Sequence, residues 1–455
     1  MSPEIIGLLQ ILVMVFAILI GFPTAFTLMA LGIIFGFVGF AVRGDNPFIV
    51  FDLLVQRAFF IMSNDVLPAI PLFLFMGYVV ERAGILDQLF KAVQMMTGRL
   101  NGSLAIATLV TGTIFATATG IVGASVTLLG LLAFPAMVKA KYDKEYAAGV
   151  VTASGTLGIL IPPSVLLILY GFVAGVSVPK LYAGAFLPGL MLATLYLGYV
   201  VIRAYVQPHV GPALAKELRT IAGRDLSLLI LRGFLPIVTL IAFVLLSIFL
   251  GVATPTEGAA LGALGALILA AFHRRLTFRM VRESVFLTVR TAAMVGWLLL
   301  GSSVFAAVFA RLGGAQIIGR TVLDLNLSPE IYFWVAQALI FLLGWPLEWT
   351  EITIIFLPLF LPILGDFHTR FPDNLATDPL FFGIMAAMNQ QTSFLSPPVA
   401  MAAYYLKGVA GKLIDLNQIF KGMYPFLALQ VASMFILWVL PQLALFPVEA
   451  IYGSR

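Results

Sequence analysis

Hydrophobic residues run along this chain in long blocks rather than in alternation. The blocks fall at 4–20, 23–41, 61–81, 145–175, 181–203, 228–250, 254–272, 285–311, 380–406 and 422–442. Nearly all reach the ~17–25 residues that carry an α-helix across about 30 Å of hydrocarbon. No stretch alternates polar and apolar positions over ~10 residues, which argues against a membrane barrel. Two further blocks, 103–137 and 331–363, are interrupted midway by small, polar or proline residues: TATGIVGAS at 117–125 and GWPLEWTE at 344–351. These predict re-entrant hairpins that enter and leave on one side. Shorter segments at about 84–99 and 312–327 predict amphipathic helices along the two membrane surfaces. The pattern as a whole predicts an all-α integral membrane protein of about ten transmembrane helices plus two re-entrant hairpins.

Charge orients the blocks. With the N-terminus outside, eighteen basic residues fall in inside segments and seven outside, with Arg290 inside a block. The bias follows the positive-inside rule and places both termini outside. The acidic loop with Asp366, Asp373 and Asp378 then lies outside as well. Composition agrees: 61% of residues are apolar, 10% are charged and the mean hydropathy is +1.06. A soluble domain has roughly 45–50% and about 25% respectively, so lipid is the solvent here. The net charge of +5 belongs to the inner loops and not to a nucleic-acid surface. The start MSPEIIGLLQ lacks the basic n-region of a cleaved signal peptide.

Catalysis finds few parts. With no cysteine, thiol chemistry, disulfides and Cys-ligated metals are excluded. The three histidines, His209, His273 and His368, all sit in polar stretches. Ser125 in GASV therefore has no base within a span, which argues against an intramembrane hydrolase. The chain reads as a carrier of solute rather than an enzyme, and no cofactor is expected.

Internal similarity divides the chain into a first repeat at 1–203, a linker at 204–227 and a second repeat at 228–455. GFPTAFTLMALG at 21–32 resembles GVATPTEGAALG at 251–262, and VVERAGILDQL at 79–89 resembles VFARLGGAQII at 308–318. SGTLGILIPPS at 154–164 resembles QTSFLSPPVAM at 391–401. Each of the last pair is a hydroxyl-rich break in an apolar block, closed by Pro-Pro, and each follows a hairpin. Charge puts the first hairpin inside and the second outside. Repeats of one order and opposite orientation are the mark of secondary transporters with a site near mid-membrane. A helix broken in lipid leaves N–H and C=O groups that water, a ligand or an ion must satisfy.

The breaks supply the candidate residues. Backbone carbonyls with Ser and Thr hydroxyls are hard oxygen ligands suited to Na⁺, the expected coupling ion. One centre is expected at Thr119, Gly123, Ser154, Gly155 and Thr156. The other is expected at Gly344, Thr392, Ser393 and Ser396. The solute is expected against Thr117, Ser125, Pro162, Pro163, Asn389, Gln390, Gln391, Pro397 and Pro398. Packing is the alternative, since small residues let membrane helices approach and buried amides staple them together. Glu257 reads as part of a capping box in TPTE, whereas Glu348 and Glu351 at the second hairpin's tip are open between structural and functional roles.

Together the paired hairpins, SGTLGILIPPS, TPTEGAALGALG and the approach KxxYDKEYAAGVVTASG resemble the large membrane subunit of TRAP (tripartite ATP-independent periplasmic) transporters, the DctM-like proteins. The resemblance spans essentially the whole chain. It implies an elevator-type fold, with a transport domain of hairpins and broken helices moving against a scaffold of the remaining helices. It also implies a small four-helix membrane subunit (DctQ-like), a periplasmic substrate-binding protein and Na⁺-driven import of small organic acids. No helices precede residue 1, so the small subunit is expected on a separate chain. The hairpin sequence FATATGIVGASVTLLG resembles the mannitol/chloroaromatic branch. A Na⁺/carboxylate carrier without a binding protein is the nearest alternative, and a channel is another.

Overall fold

In the computed structural model every described element is a helix. The structure describes residues 2–215, 224–314 and 327–453, together with Gln316, Ile317, Arg320, Asp324 and Leu325. The expected linker at 204–227 and the expected surface helix at 312–327 therefore lie partly outside the described residues.

The first ten helices are α1 (Pro3–Ile20), α2 (Thr24–Arg43), α3 (Ile49–Met62), α4 (Ala69–Arg82), α5 (Ile85–Thr97), α6 (Ser103–Thr119), α7 (Val122–Lys139), α8 (Lys144–Thr156), α9 (Val165–Ala174) and α10 (Val178–Val206). Beyond the linker come α11 (Arg224–Gly233), α12 (Leu235–Phe249), α13 (Pro255–Phe272) and α14 (Phe278–Arg311). The remainder comprises α15 (Pro329–Leu343), α16 (Trp349–Arg370), α17 (Pro379–Leu395), α18 (Met401–Ala410), α19 (Leu416–Val439) and α20 (Gln442–Tyr452).

Eight described helices are long and apolar enough to cross a membrane, or nine if the pair α4 and α5, bent by 66°, counts as one span. Two of the eight, α7 and α16, fall in the blocks expected as re-entrant hairpins, so such a helix matches six of the ten expected spans. The difference arises where an apolar block is cut by residues that end helices. The block at 61–81 begins inside α3 and is split at Ser63-Asn64, where the Asn64 side chain accepts from the backbone N–H of Val66 and Leu67. The blocks at 145–175 and 380–406 are split at their Pro-Pro pairs into helices too short to span alone. Gly84, with φ of +66°, sets the bend between α4 and α5. Beyond it α5 is amphipathic as expected, burying Ile85, Leu86, Leu89, Phe90 and Val93 on one face.

The chain folds into two compact units. The first comprises Met1–Pro68, Leu169–Val176 and Val289–Phe382. Its core gathers Ile6, Phe40, Val50, Leu53, Val308 and Leu312. Gly32, Gly36 and Gly39 lie on one face of α2, and a Cβ on Gly39 would come within 2.5 Å of Leu312 Cδ2 on the stretch after α14. Without a hydrophobic force between helices in lipid, such small-residue faces provide close van der Waals packing.

The second unit comprises Ala69–Ile168, Ser177–Thr288 and Gly383–Arg455. Glu257 here closes the expected capping box: Thr254 N–H donates to its carboxylate at 2.8 Å, and Glu257 N–H donates to the Thr254 hydroxyl at 3.3 Å. Helices α8 and α19 cross in close contact at two glycines. A Cβ on Gly149 would lie 2.0 Å from the Gly422 carbonyl oxygen, and a Cβ on Gly422 would lie 1.9 Å from that of Glu145. Neither clash can be relieved by a side chain turning away, because the obstruction is backbone.

Gly149→Ala and Gly422→Ala are therefore each expected to destabilise the protein by at least ~1–3 kcal/mol, the range of core overpacking. Gly198→Ala, whose added methyl meets nothing within 4 Å, serves as the neutral comparison. Thermal unfolding midpoints in detergent measure the difference, and equal midpoints for all three would refute the crossing.

Candidate cation and solute site

The tip of the first hairpin is built by one glycine. Gly120 takes φ of +63° and ends α6, donating its N–H to Ala116 at 2.7 Å. Ile121 is extended and α7 starts at Val122 with no side-chain cap, so its first-turn N–H groups lack helical acceptors. Thr119 and Ser125 Oγ atoms stand 3.2 Å apart across this turn, both buried.

The first break lies against both arms of that hairpin. After Thr156 comes a single 3-10 turn at Leu157–Ile159, then non-helical chain through the Pro-Pro pair to α9. Three glycines make the approach possible. A Cβ on Gly112 of α6 would meet Ser154 Cβ at 2.6 Å, and one on Gly158 would meet the Ala116 carbonyl at 2.1 Å. On the other arm, a Cβ on Gly155 would meet Val126 Cγ2 at 2.4 Å. Gly155 is thus fixed by packing on α7. Gly123 faces elsewhere: its Cβ would meet the Tyr405 ring of α18 at 3.0 Å.

Hydroxyls at the break donate into their own helix. Ser154 donates to Val151 O and Thr156 to Ala153 O, each at 2.9 Å, and both side chains are fully buried. At the hairpin tip Thr117 donates to Thr113 O at 2.7 Å. A back-bonded hydroxyl has its proton committed, and its lone pairs remain available to a cation or a donor. Pro162 and Pro163 have no N–H for the carbonyls of Gly158 and Ile159. The Ser164 hydroxyl meets the second of these.

The second break repeats this chemistry. Thr392 donates to Asn389 O at 2.6 Å and Ser393 to Gln390 O at 2.5 Å. Both breaks hold a cis Pro-Pro bond, Pro162–Pro163 and Pro397–Pro398. Asn389, Gln390, Gln391, Thr392, Ser393 and Ser396 are all buried. The breaks differ in cover: Pro162 and Pro163 are buried, whereas Pro398 is exposed. Hairpin 103–139 and both breaks belong to the second unit, but Gly344 belongs to the first and is buried there.

Two residues that the sequence reading passed over hold the second break in place. Gln430 of α19 donates to Met388 O at 2.8 Å and approaches Gln391 Oε1 at 3.4 Å, and accepts from the Tyr196 hydroxyl at 3.2 Å. The signal was present as a lone amide in an otherwise apolar block. Gln391 Nε2 is buried with no acceptor among the described residues. A buried amide N–H gains by donating to an anionic or carbonyl oxygen.

In the first unit, Glu351 at the start of α16 is taken up by structure. It accepts from the Thr24 hydroxyl at 2.5 Å and from Glu348 N–H at 3.1 Å. A cavity of about 350 Å³ in this unit carries Arg57, Ser302 and Ser303 among apolar neighbours. Arg57 had counted only as an outside charge, and the GSS at 301–303 only as part of a span. Among the described residues no three His, Asp or Glu side chains converge. The oxygens at the breaks are neutral, which suits a monovalent hard cation better than a divalent or transition metal.

Residues 11–443 match the family described as the tripartite ATP-independent periplasmic transporter, DctM component. The chain belongs to this family. It is 28% identical over 445 residues to the sialic acid TRAP transporter large permease protein SiaM of Vibrio cholerae, covering 93% of this chain and 99% of that one. It is 28% identical over 395 residues to the C4-dicarboxylate TRAP transporter large permease protein DctM of Pseudomonas aeruginosa, covering 86% and 88%. The fold resembles the crystal structure of the Alcanivorax borkumensis YdaH transporter, with a TM-score of 0.59, 14% identity and 90% of each chain covered. This TRAP permease component is thus a multi-pass membrane protein and not an enzyme. The mannitol/chloroaromatic branch expected from the hairpin sequence finds no support among these relatives, which are named for sialic acid and C4-dicarboxylates.

Replacing Gln430 by Leu removes its hydrogen bonds to Met388, Gln391 and Tyr196 together. The TRAP permease should lose about 1–3 kcal/mol of stability, read as a lower unfolding midpoint in detergent. Tyr196→Phe should lose less. If Gln430→Leu melts with the wild type, the amide does not anchor the second break.

Proposed function

We propose that this permease is the membrane core of a Na⁺-coupled, binding-protein-dependent importer of small organic acids. Its partners on this reading are a small four-helix membrane subunit and a periplasmic substrate-binding protein. The observation that carries the anionic solute is the buried Gln391 amide, whose Nε2 faces no acceptor among the described residues. The relatives named for sialic acid and C4-dicarboxylates, all carboxylate-bearing solutes, support the same class. Within the first unit, Arg57 lines a cavity of its own and offers a contact for an anion there.

Sodium is proposed at the breaks. Ser154 and Thr156, with Thr119 of the hairpin tip, form one centre, and Thr392, Ser393 and Ser396 form the other. Their support is the mirrored set of back-bonded hydroxyls and of carbonyls that proline leaves without helical donors. Movement is proposed to be of elevator type, with hairpin 103–139 and the breaks travelling as one body. The excess of basic residues in the inner segments supports both termini on the periplasmic side.

Reconstituted into vesicles with both partners, the permease should take up a labelled carboxylate only with an inward Na⁺ gradient. Ser154→Ala and Ser393→Ala should each raise the Na⁺ concentration for half-maximal uptake by roughly threefold or more, as expected on losing one ligand oxygen. An unchanged Na⁺ dependence in both variants rules out the proposed centres. Uptake by the chain alone would instead favour a carrier that needs no binding protein.

The elevator reading has its own test, since the chain has no native cysteine to remove. A Cβ on Gly130 of α7 would lie 2.7 Å from Val409 of α18. A disulfide between Gly130→Cys and Val409→Cys joins the hairpin to the helix after the second break. It should leave uptake at the level of the reduced double variant. Uptake that stops on oxidation means that these elements move past each other.

A further inference from the structure

Where α13 ends beside the junction of α11 and α12, the second unit holds a cavity of about 790 Å³. Arg232, His273, Arg274 and Gln88 line it, with Leu231 and Phe272 at its apolar side. His273 ties the two walls together: its Nδ1 is 2.8 Å from Leu269 O and its Nε2 is 3.0 Å from Arg232 O. The ring thereby fixes the backbone that carries Arg232 next to the helix end that carries Arg274.

The end of α13 is turned in an uncommon way. Arg274 has φ of +55°, and the bonds Arg274 N–H to Ala271 O and Arg275 N–H to Ala270 O close the helix, each at 2.9 Å. Glycine normally fills this left-handed place. Here a cation fills it and faces the cavity. Neither Arg232 nor Arg274 pairs with a carboxylate among the described residues. The ion pairs found there are Arg43–Asp45, Arg82–Glu283, Arg279–Glu283 and Lys421–Glu145. Asp87 and Asp225, on the neighbouring helices, make no ion pair with either arginine.

The cavity lies at the edge of the hydrocarbon. The apolar span Pro255–Phe272 ends at its wall, and the span Asp225–Phe249 begins a few residues before Leu231. Leu231 is 53% exposed and Phe272 80% exposed. Two guanidinium groups with no carboxylate partner among the described residues, and apolar side chains exposed beside them, match a molecule that is phosphate at one end and hydrocarbon at the other. We propose that this cavity binds the headgroup phosphate of an anionic phospholipid, with Arg232 and Arg274 as its charged contacts and Leu231 and Phe272 against the acyl chains. Basic pockets between helices at a membrane surface recognise such headgroups, and guanidinium matches phosphate geometry through paired hydrogen bonds. In the orientation proposed above the cavity opens toward the cytoplasmic leaflet, but the lipid assignment does not depend on that orientation.

The test uses the full chain in an uncharged detergent, with lipid binding followed by native mass spectrometry. Phosphatidylglycerol should bind at least roughly tenfold more tightly than phosphatidylcholine, and the preference should shrink as salt rises. Arg232→Gln with Arg274→Gln should abolish the preference, while Arg282→Gln, outside the cavity, should keep it. Equal binding of the two lipids by the wild type overturns the proposal, and so does a preference that survives the double variant. If that variant does not fold, the salt dependence of the wild-type preference decides: a preference that salt leaves unchanged is not made by guanidinium contacts. Inorganic phosphate that displaces phosphatidylglycerol at millimolar concentration would show a soluble-anion site and overturn the lipid assignment. None of these readouts involves transport, so this proposal and the proposed function fail separately.

Discussion

Everything in this chain turns on the rule that backbone polar groups inside hydrocarbon must find partners within the protein. A continuous helix obeys it automatically, and most of the long apolar blocks do so. The two breaks do not. Each Pro-Pro pair strips donors from the preceding helical carbonyls, and at the first break the Ser164 hydroxyl meets one of them, that of Ile159. Glycines set the packing around this break. Gly112, Gly155 and Gly158 bring the first break so near the hairpin that no methyl group fits between them. A polar gap can exist at this depth because protein, not lipid, surrounds it.

The same rule separates residues that look functional from those that are already occupied. Glu257 and Glu351 are carboxylates in apolar blocks, yet each is engaged at a helix start. Gln391 looks like one more buried amide, yet its side-chain nitrogen is left without an acceptor among the described residues. Counting hydrogen bonds therefore ranks candidates differently from counting charges.

Much of this was legible in the sequence. The breaks at Ser154 and Gln391 announce themselves because small polar residues before Pro-Pro are rare in apolar runs and recur here in order. The Thr254–Glu257 cap could be read from four consecutive residues. Span count was less legible, because hydropathy sums over a block and does not register a helix end such as Ser63-Asn64. Gln430 and Arg57 were missed for a different reason. Their meaning depends on what faces them across other helices, and a linear pattern carries no such information. Gly155 also has a packing duty, to admit Val126, and only the facing atom reveals it.

One feature of the breaks bears on bioenergetics. Of the polar side chains gathered there, Thr119, Ser154, Thr156, Asn389, Gln391, Thr392 and Ser393, none titrates in the physiological range. A proton has nowhere to bind among them as a stable charge. Groups of this kind cannot tell an acidic periplasm from a neutral one, and a pH gradient has no purchase on them. Neutral oxygen dipoles of this kind suit a hard monovalent cation, which is the property the proposed Na⁺ coupling draws on.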